Sequence, residues 1–160
     1  MKISLILNGE DVTLAGDSDE SLFDVLKRET LLFETVVCCQ KATCGRCHLL
    51  FDGREVPSCL VPFYQVRQKE IITAEGFART NDHKLFRSLL DEEGLVFCTQ
   101  CTNAQIFHLY AYIEQFPNPN DEELLAALSE IPCRCGSRPV LEKGLRRLIE
   151  IKEGGRAIRH

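Results

Sequence analysis

The stretch Cys39-Gln40-Lys41-Ala42-Thr43-Cys44-Gly45-Arg46-Cys47 places three thiols in nine residues, and Cys59 follows after a further eleven. Cys-x4-Cys-x2-Cys with a distant fourth cysteine is the plant-type spacing for a [2Fe–2S] cluster. Two sulfide-bridged irons need four thiolates around an elongated core, and one tight loop can deliver three of them. Gly45 lets the backbone come close to the sulfides, and loop N–H groups can hydrogen-bond the sulfurs. Arg46 adds positive charge beside an anionic group.

The chain holds nine cysteines, and a second set lies further on: Cys98-x2-Cys101, then Cys133-x-Cys135 after 31 residues. Both pairs precede stretches with helical periodicity. Helix N-termini offer free N–H groups and partial positive charge, which favour a thiolate-bound anionic cluster. Two such termini meeting could hold a second [2Fe–2S] centre. The ligand set is then Cys39, Cys44, Cys47 and Cys59 for one cluster and Cys98, Cys101, Cys133 and Cys135 for the other. Cys38 is left over and reads as a small buried residue, because free cysteine packs well. Zinc is the competing metal: Cys44-x2-Cys47 with Cys98-x2-Cys101 makes a four-thiolate site but leaves four other cysteines unexplained. Two zinc ions in the same two quartets stay open on spacing alone, with the x4-x2 loop favouring iron–sulfur.

The 160 residues carry 19 basic and 24 acidic side chains, a net charge of −5, and lack the basic footprint of a nucleic-acid binder. The apolar run Ile3–Leu7 is broken at once by Asn8-Gly9-Glu10-Asp11, so no export signal is read there. Leu95 to Ile113 is free of formal charge, yet it holds Thr99, Gln100, Thr102, Asn103, Gln105 and His108 and is rejected as a membrane span. A cytoplasmic home is expected, where cysteine clusters bind metal or do redox work. An odd cysteine count also fits complete disulfide pairing badly.

Working outward from the cysteine loop, the chain reads as α+β in two parts. Ile3, Leu5 and Leu7 alternate before Asn8-Gly9, with Val12 and Leu14 after it, which is a hairpin signal. Asp17 and Glu20 resemble a capping box ahead of a helical face made by Leu22, Val25 and Leu26. Leu49-Leu50-Phe51, an Asp52-Gly53 turn, Val56 and Ile71-Ile72-Thr73 supply further short strands, giving a small mixed sheet. A linker is expected near Glu75–Thr80. Four helical faces follow: Leu85, Phe86, Leu89 and Leu90 closed by Gly94; Ile106, Phe107, Tyr110 and Ile113 stopped by Pro117; Leu124, Leu125 and Leu128 behind an Asn120/Glu123 cap; and Leu141, Leu145, Leu148 and Ile149, ending before Gly154-Gly155. Four short amphipathic helices predict a compact bundle. Phe107, Tyr110 and Tyr112 read as its core and rim. His48 reads as a local hydrogen-bonding or surface residue, since a Rieske site needs two histidines. Residues 134–160 hold eight basic and three acidic side chains, a tail that either docks a partner or forms a solvated helix face.

These residues resemble the small iron–sulfur subunit of the xanthine dehydrogenase, aldehyde oxidase and carbon monoxide dehydrogenase family of molybdenum hydroxylases. The resemblance runs from about residue 3 to 150. It is carried by Asn8-Gly9, the first cysteine loop, Asp52-Gly53-x-x-Val56-x-Ser58-Cys59, Thr73-x-Glu75-Gly76, Asn118-x-Asn120-x-Glu122-Glu123, Leu128-Ser129 and Cys133-Arg134-Cys135. It implies a β-grasp, ferredoxin-like domain over residues 1–77 and a four-helix domain with a basic tail over residues 78–160, each holding one [2Fe–2S] cluster. It also implies a hetero-oligomer with a large molybdopterin subunit, and electron flow through the helical cluster first, toward FAD on a flavin subunit or another acceptor. The molybdopterin cofactor and FAD belong to those partners; no nucleic acid and no membrane are expected.

The sequence departs from that pattern at several places. Cys38 and Ala42 stand where the family has Gly, and His48 stands where Thr is common. Phe97 replaces the Gln that contacts the pterin cofactor in the family, Thr99-Gln100 replaces Gly-Phe, and Asn103-Ala104 replaces Pro-Gly. After Cys135, Gly136-Ser137-Arg138 replaces Thr-Gly-Tyr. The eight ligands persist while the pterin-facing shell does not. Three function classes follow: an iron–sulfur electron-transfer subunit of an oxidoreductase complex with no substrate turnover of its own, a zinc-bound structural or assembly module, and a cluster-based redox sensor.

Overall fold

Asn8 and Gly9 both take positive φ, 53° and 85°, the two-residue turn that matches the twist of paired strands. Around it β1 (Lys2–Leu7) and β2 (Glu10–Ala15) run antiparallel, with Leu7 opposite Glu10 and Lys2 opposite Ala15. Asp52 and Gly53 repeat the device, at φ 47° and 78°, between β3 (His48–Phe51) and β4 (Arg54–Pro57). β5 (Glu70–Ile72) joins the two hairpins, parallel to β1 and antiparallel to β3, in a sheet of order β2-β1-β5-β3-β4. This computed structural model describes residues 1–33, 36–92, 94, 102–130 and 138–157, in two compact units, Met1–Arg79 and Thr80–His160.

In the first unit the alternating Ile3, Leu5 and Leu7 are buried on one face of the sheet. Helix α1 (Leu22–Glu29) supplies Leu22, Phe23, Val25 and Leu26 to the same core, together with Leu49, Phe63, Val66 and Ile71. Burying each such side chain contributes about 1.5–3 kcal/mol. The start of α1 differs from the sequence expectation. Ser21 is the N-cap: its Oγ accepts from Asp24 N–H at 3.1 Å and donates to the Asp24 carboxylate at 2.7 Å. Glu20 instead pairs with Arg28 in the last turn of α1 and also accepts from Asp17 N–H. Ser21 wins because the apolar face begins directly after it.

Asn8 has a second function. Its Oδ1 accepts from Thr73 N–H at 2.8 Å and its Nδ2 donates to Thr73 Oγ1 at 3.1 Å. Thr73 in turn caps α2 (Ala74–Phe77), occupying a stretch expected to be linker, with Phe77 buried. A Cβ on Gly76 would overlap the Asn8 amide, so that position requires glycine. Asn8-Gly9 and Thr73-x-Glu75-Gly76 are thus two halves of one contact.

The second unit contains α3 (Asn81–Glu92), α4 (Thr102–Gln115), α5 (Asp121–Glu130) and α6 (Arg138–Ala157). Phe86, Leu90, Ile106, Phe107, Leu109, Ile113, Leu124, Leu128, Leu145 and Leu148 are buried, and α6 packs on α3 and α5. Gly94, at φ 66°, follows the end of α3. The Asn120–Glu123 box is reciprocal at 2.9 Å each way. Two expectations fail. Leu125 is 48% exposed, and Ala127 takes the inward place, because i, i+3 and i+4 from Leu124 define the face. Helix α6 runs through Gly154-Gly155 rather than stopping before them. A helical glycine costs about 1 kcal/mol against alanine, which disfavours a helix without forbidding it.

Candidate metal centre

The first cysteine set is positioned by the β3–β4 hairpin. Its two-residue turn fixes His48 opposite Pro57, so Cys47, just before β3, and the Ser58–Leu60 3-10 turn, just after β4, lie at the same end. Ser58 is fully buried and locks the two segments together. Its N–H donates to the Cys47 carbonyl at 3.1 Å and its Oγ donates to the same oxygen at 2.7 Å. Cys47 and Cys59 are both buried.

The loop before them turns through left-handed backbone at Gln40 (φ 56°), Ala42 (φ 56°) and Gly45 (φ 69°). That curl directs thiols and N–H groups toward one another. Lys41 N–H and Thr43 Oγ1–H each donate to Cys39 Sγ at 3.4 Å, and Gln40 N–H donates to Cys38 Sγ at 3.3 Å. Led by the Thr43 hydroxyl, with help from the Lys41 N–H and the Cys44 thiol, these contacts lower the Cys39 thiol to about 6. Burial pushes the Cys47 and Cys38 thiols the other way. Metal binding on the inner side must therefore expel protons, as thiolate ligation requires.

The thiols sort into two groups. Cys39 Sγ draws the Lys41 N–H and the Thr43 hydroxyl, and the Cys44 thiol helps lower its pKa. The Sγ atoms of Cys38, Cys47 and Cys59 lie within 4.8 Å of one another, and this is the tight thiol group among the described residues. Each iron of a binuclear centre takes two protein thiolates, so this group holds one thiol more than a single iron of such a centre uses. All five described cysteines are free thiols. The expected ligands Cys98, Cys101, Cys133 and Cys135, and Phe97 with them, lie outside the described residues. Helices α4 and α6, expected after those two pairs, begin at Thr102 and Arg138.

The particular contacts of several residues were not legible in the sequence. Cys38 sits half-buried against the core as expected, but its sulfur joins Cys47 and Cys59. His48 has the local hydrogen-bonding role expected of it: its Nδ1 faces Glu55 Oε1 at 2.7 Å, while Nε2 is buried without a partner. Arg46 bonds the Val37 carbonyl at 3.3 Å, holding the loop that carries the thiols. In the second unit Gln105, four residues after Cys101, is 1% exposed with both amide atoms unpartnered among the described residues. None of these has a periodicity or spacing that would announce it.

Residues 73–144 match the [2Fe-2S] binding domain family. The chain is 31% identical over 148 residues to the nicotinate dehydrogenase small FeS subunit of Eubacterium barkeri, spanning 92% of this chain and 94% of that protein. It is 31% identical over 143 residues to the nicotine 6-hydroxylase small subunit of Paenarthrobacter nicotinovorans, spanning 89% and 86% of the two. Quinoline 2-oxidoreductase from Pseudomonas putida 86 shares the fold with a TM-score of 0.76 at 24% identity, over 91% of this chain and 90% of that one. Aldehyde oxidoreductase from Desulfovibrio gigas does so with a TM-score of 0.81 at 21% identity, over 97% of this chain and 17% of its own longer one. The chain belongs to the family of small [2Fe–2S] subunits of molybdenum hydroxylases. It is an iron–sulfur electron-transfer subunit of an oxidoreductase. Among the described residues no helix is long and apolar enough to cross a membrane.

Proposed function

We propose that this chain carries two [2Fe–2S] clusters and relays electrons from a large, molybdopterin-bearing partner to a flavin or other acceptor. Cys39, Cys44, Cys47 and Cys59 would hold the first cluster in a β-grasp domain, residues 1–77. Cys98, Cys101, Cys133 and Cys135 would hold the second in a four-helix domain, residues 78–160. Each cluster supplies one-electron carriage when bound. The residues of this chain supply the rest: thiolates to bind, N–H and O–H donors to stabilise sulfur charge, and buried walls to exclude water.

The observation that supports this reading is the gathering of the 39–59 thiols, with Cys47 and Cys59 within 4.8 Å of one another and Cys39 drawing the Lys41 N–H and the Thr43 hydroxyl. Val37 and Leu60, next to Cys38 and Cys59, are 73% and 59% exposed. Such exposed apolar residues beside two of the clustered thiols suit a docking partner that receives electrons at this end. Electrons would enter at the helical cluster, and Phe97 would alter the cofactor contact there, because a phenyl ring makes no conventional hydrogen bond. The working place would be the cytoplasm.

The test is anaerobic isolation from cells expressing the chain with its natural neighbours. A stoichiometric large subunit containing molybdopterin supports the relay. A chain that purifies alone, with clusters but no such partner, points to a redox sensor instead.

A further inference from the structure

We infer that Cys38 is a reserve ligand for the iron on the Cys47/Cys59 side of the first cluster, able to replace either of those thiolates. The inference rests on the two-cluster reading above and concerns a thiol that the x4-x2 spacing leaves out.

Three observations carry it. The Sγ atoms of Cys38, Cys47 and Cys59 all lie within 4.8 Å of one another. Two thiolates on one tetrahedral metal, with bonds of about 2.3 Å, stand about 3.8 Å apart. Cys38 can therefore share an iron with Cys47 if Cys59 is lost, or with Cys59 if Cys47 is lost. Second, Cys38 has no positive φ, so the backbone there needs no glycine and its thiol is presented inward without strain. Third, Cys38 packs half-buried against the core, and its Sγ already accepts the Gln40 N–H, a contact that suits a thiolate. Cys39 is not part of that trio and accepts instead from the Thr43 hydroxyl. In the exchange Cys38 gives its proton to solvent and forms one iron–sulfur bond in place of the missing one. The iron oxidation state does not change.

The geometry makes an asymmetric prediction, readable in the full chain purified anaerobically. Cys38→Ala keeps both paramagnetic signals. Cys59→Ala keeps about four irons per chain, with the first-cluster signal shifted but present. Cys38→Ala combined with Cys59→Ala falls to about two irons and only the second signal. Cys44→Ala loses the first signal although Cys38 remains. Alkylation mapped by mass spectrometry gives an independent readout: Cys38 is modified in the parent holoprotein and protected in Cys59→Ala. If Cys59→Ala does not fold by circular dichroism, Cys47→Ala tests the same geometry with Cys59 as the partner. The proposal is overturned if the folded single variant loses the first cluster as fully as the double variant, or if Cys38 is alkylated equally in parent and Cys59→Ala. A parent that holds zinc and no labile sulfide would defeat the two-cluster reading instead.

Discussion

Ala42 occupies a position that favours glycine. At φ 56° its Cβ crowds the following carbonyl, a cost of about 1–2 kcal/mol that glycine does not bear. The family pattern has Gly there, and the loop geometry explains why. Ala42→Gly should raise the melting temperature of the holoprotein, a gain of about 0.5–1 kcal/mol after the greater entropy of the unfolded chain is counted. No change, or a loss, would show that the loop does not need left-handed backbone at this residue. Ser58 works in the opposite sense. Its hydroxyl and N–H both hold the Cys47 carbonyl, and removing the hydroxyl leaves one bond of the two. Ser58→Ala should cost about 1 kcal/mol in thermal unfolding. Iron should also leave the first cluster faster under a chelator, while the second is unaffected; equal release rates would deny Ser58 its part in aligning Cys47 with Cys59. The sequence presents Ser58 only as part of a family motif, because a buried hydroxyl has no periodicity.

At the scale of elements, the two positive-φ turns organise the sheet. Asp52 does so electrostatically as well. Its carboxylate accepts from Lys69 Nζ at 2.7 Å and Glu70 N–H at 2.9 Å, bonds that hold its pKa below the usual carboxylate range. A depressed folded-state pKa gives stability that is present above the unfolded value, about 3.9, and is lost as pH falls through the folded one. Asp52→Asn keeps the turn conformation but removes this charge. Its unfolding curves should lie below wild type at pH 6 and converge with it in acid, by less than about 1 kcal/mol since the pair is half-exposed. A constant offset at all pH values would assign the effect to the turn instead. Both hairpins and the α5 cap were legible because turn chemistry is local. The start of α1, the exposure of Leu125 and the passage of α6 through Gly154-Gly155 were not. Each depends on competition between neighbouring caps or on packing, which one-dimensional spacing does not contain.

At the scale of the molecule, the nine cysteines divide between two units with different architecture, one built around a mixed sheet and one of helices. That division was legible because strand and helix periods differ and because metal spacing is local in the first set. The place of Cys38 was not legible, for a physical reason: spacing counts positions along the chain, whereas ligation depends on where sulfur atoms meet. The measurement that bears most directly on the account is the metal and labile-sulfide content of the anaerobically purified chain, read with paramagnetic resonance after reduction. Two [2Fe–2S] clusters give about four irons, about four acid-labile sulfides and two distinct signals per chain. Stoichiometric zinc, no labile sulfide and no signal would contradict the two-cluster reading.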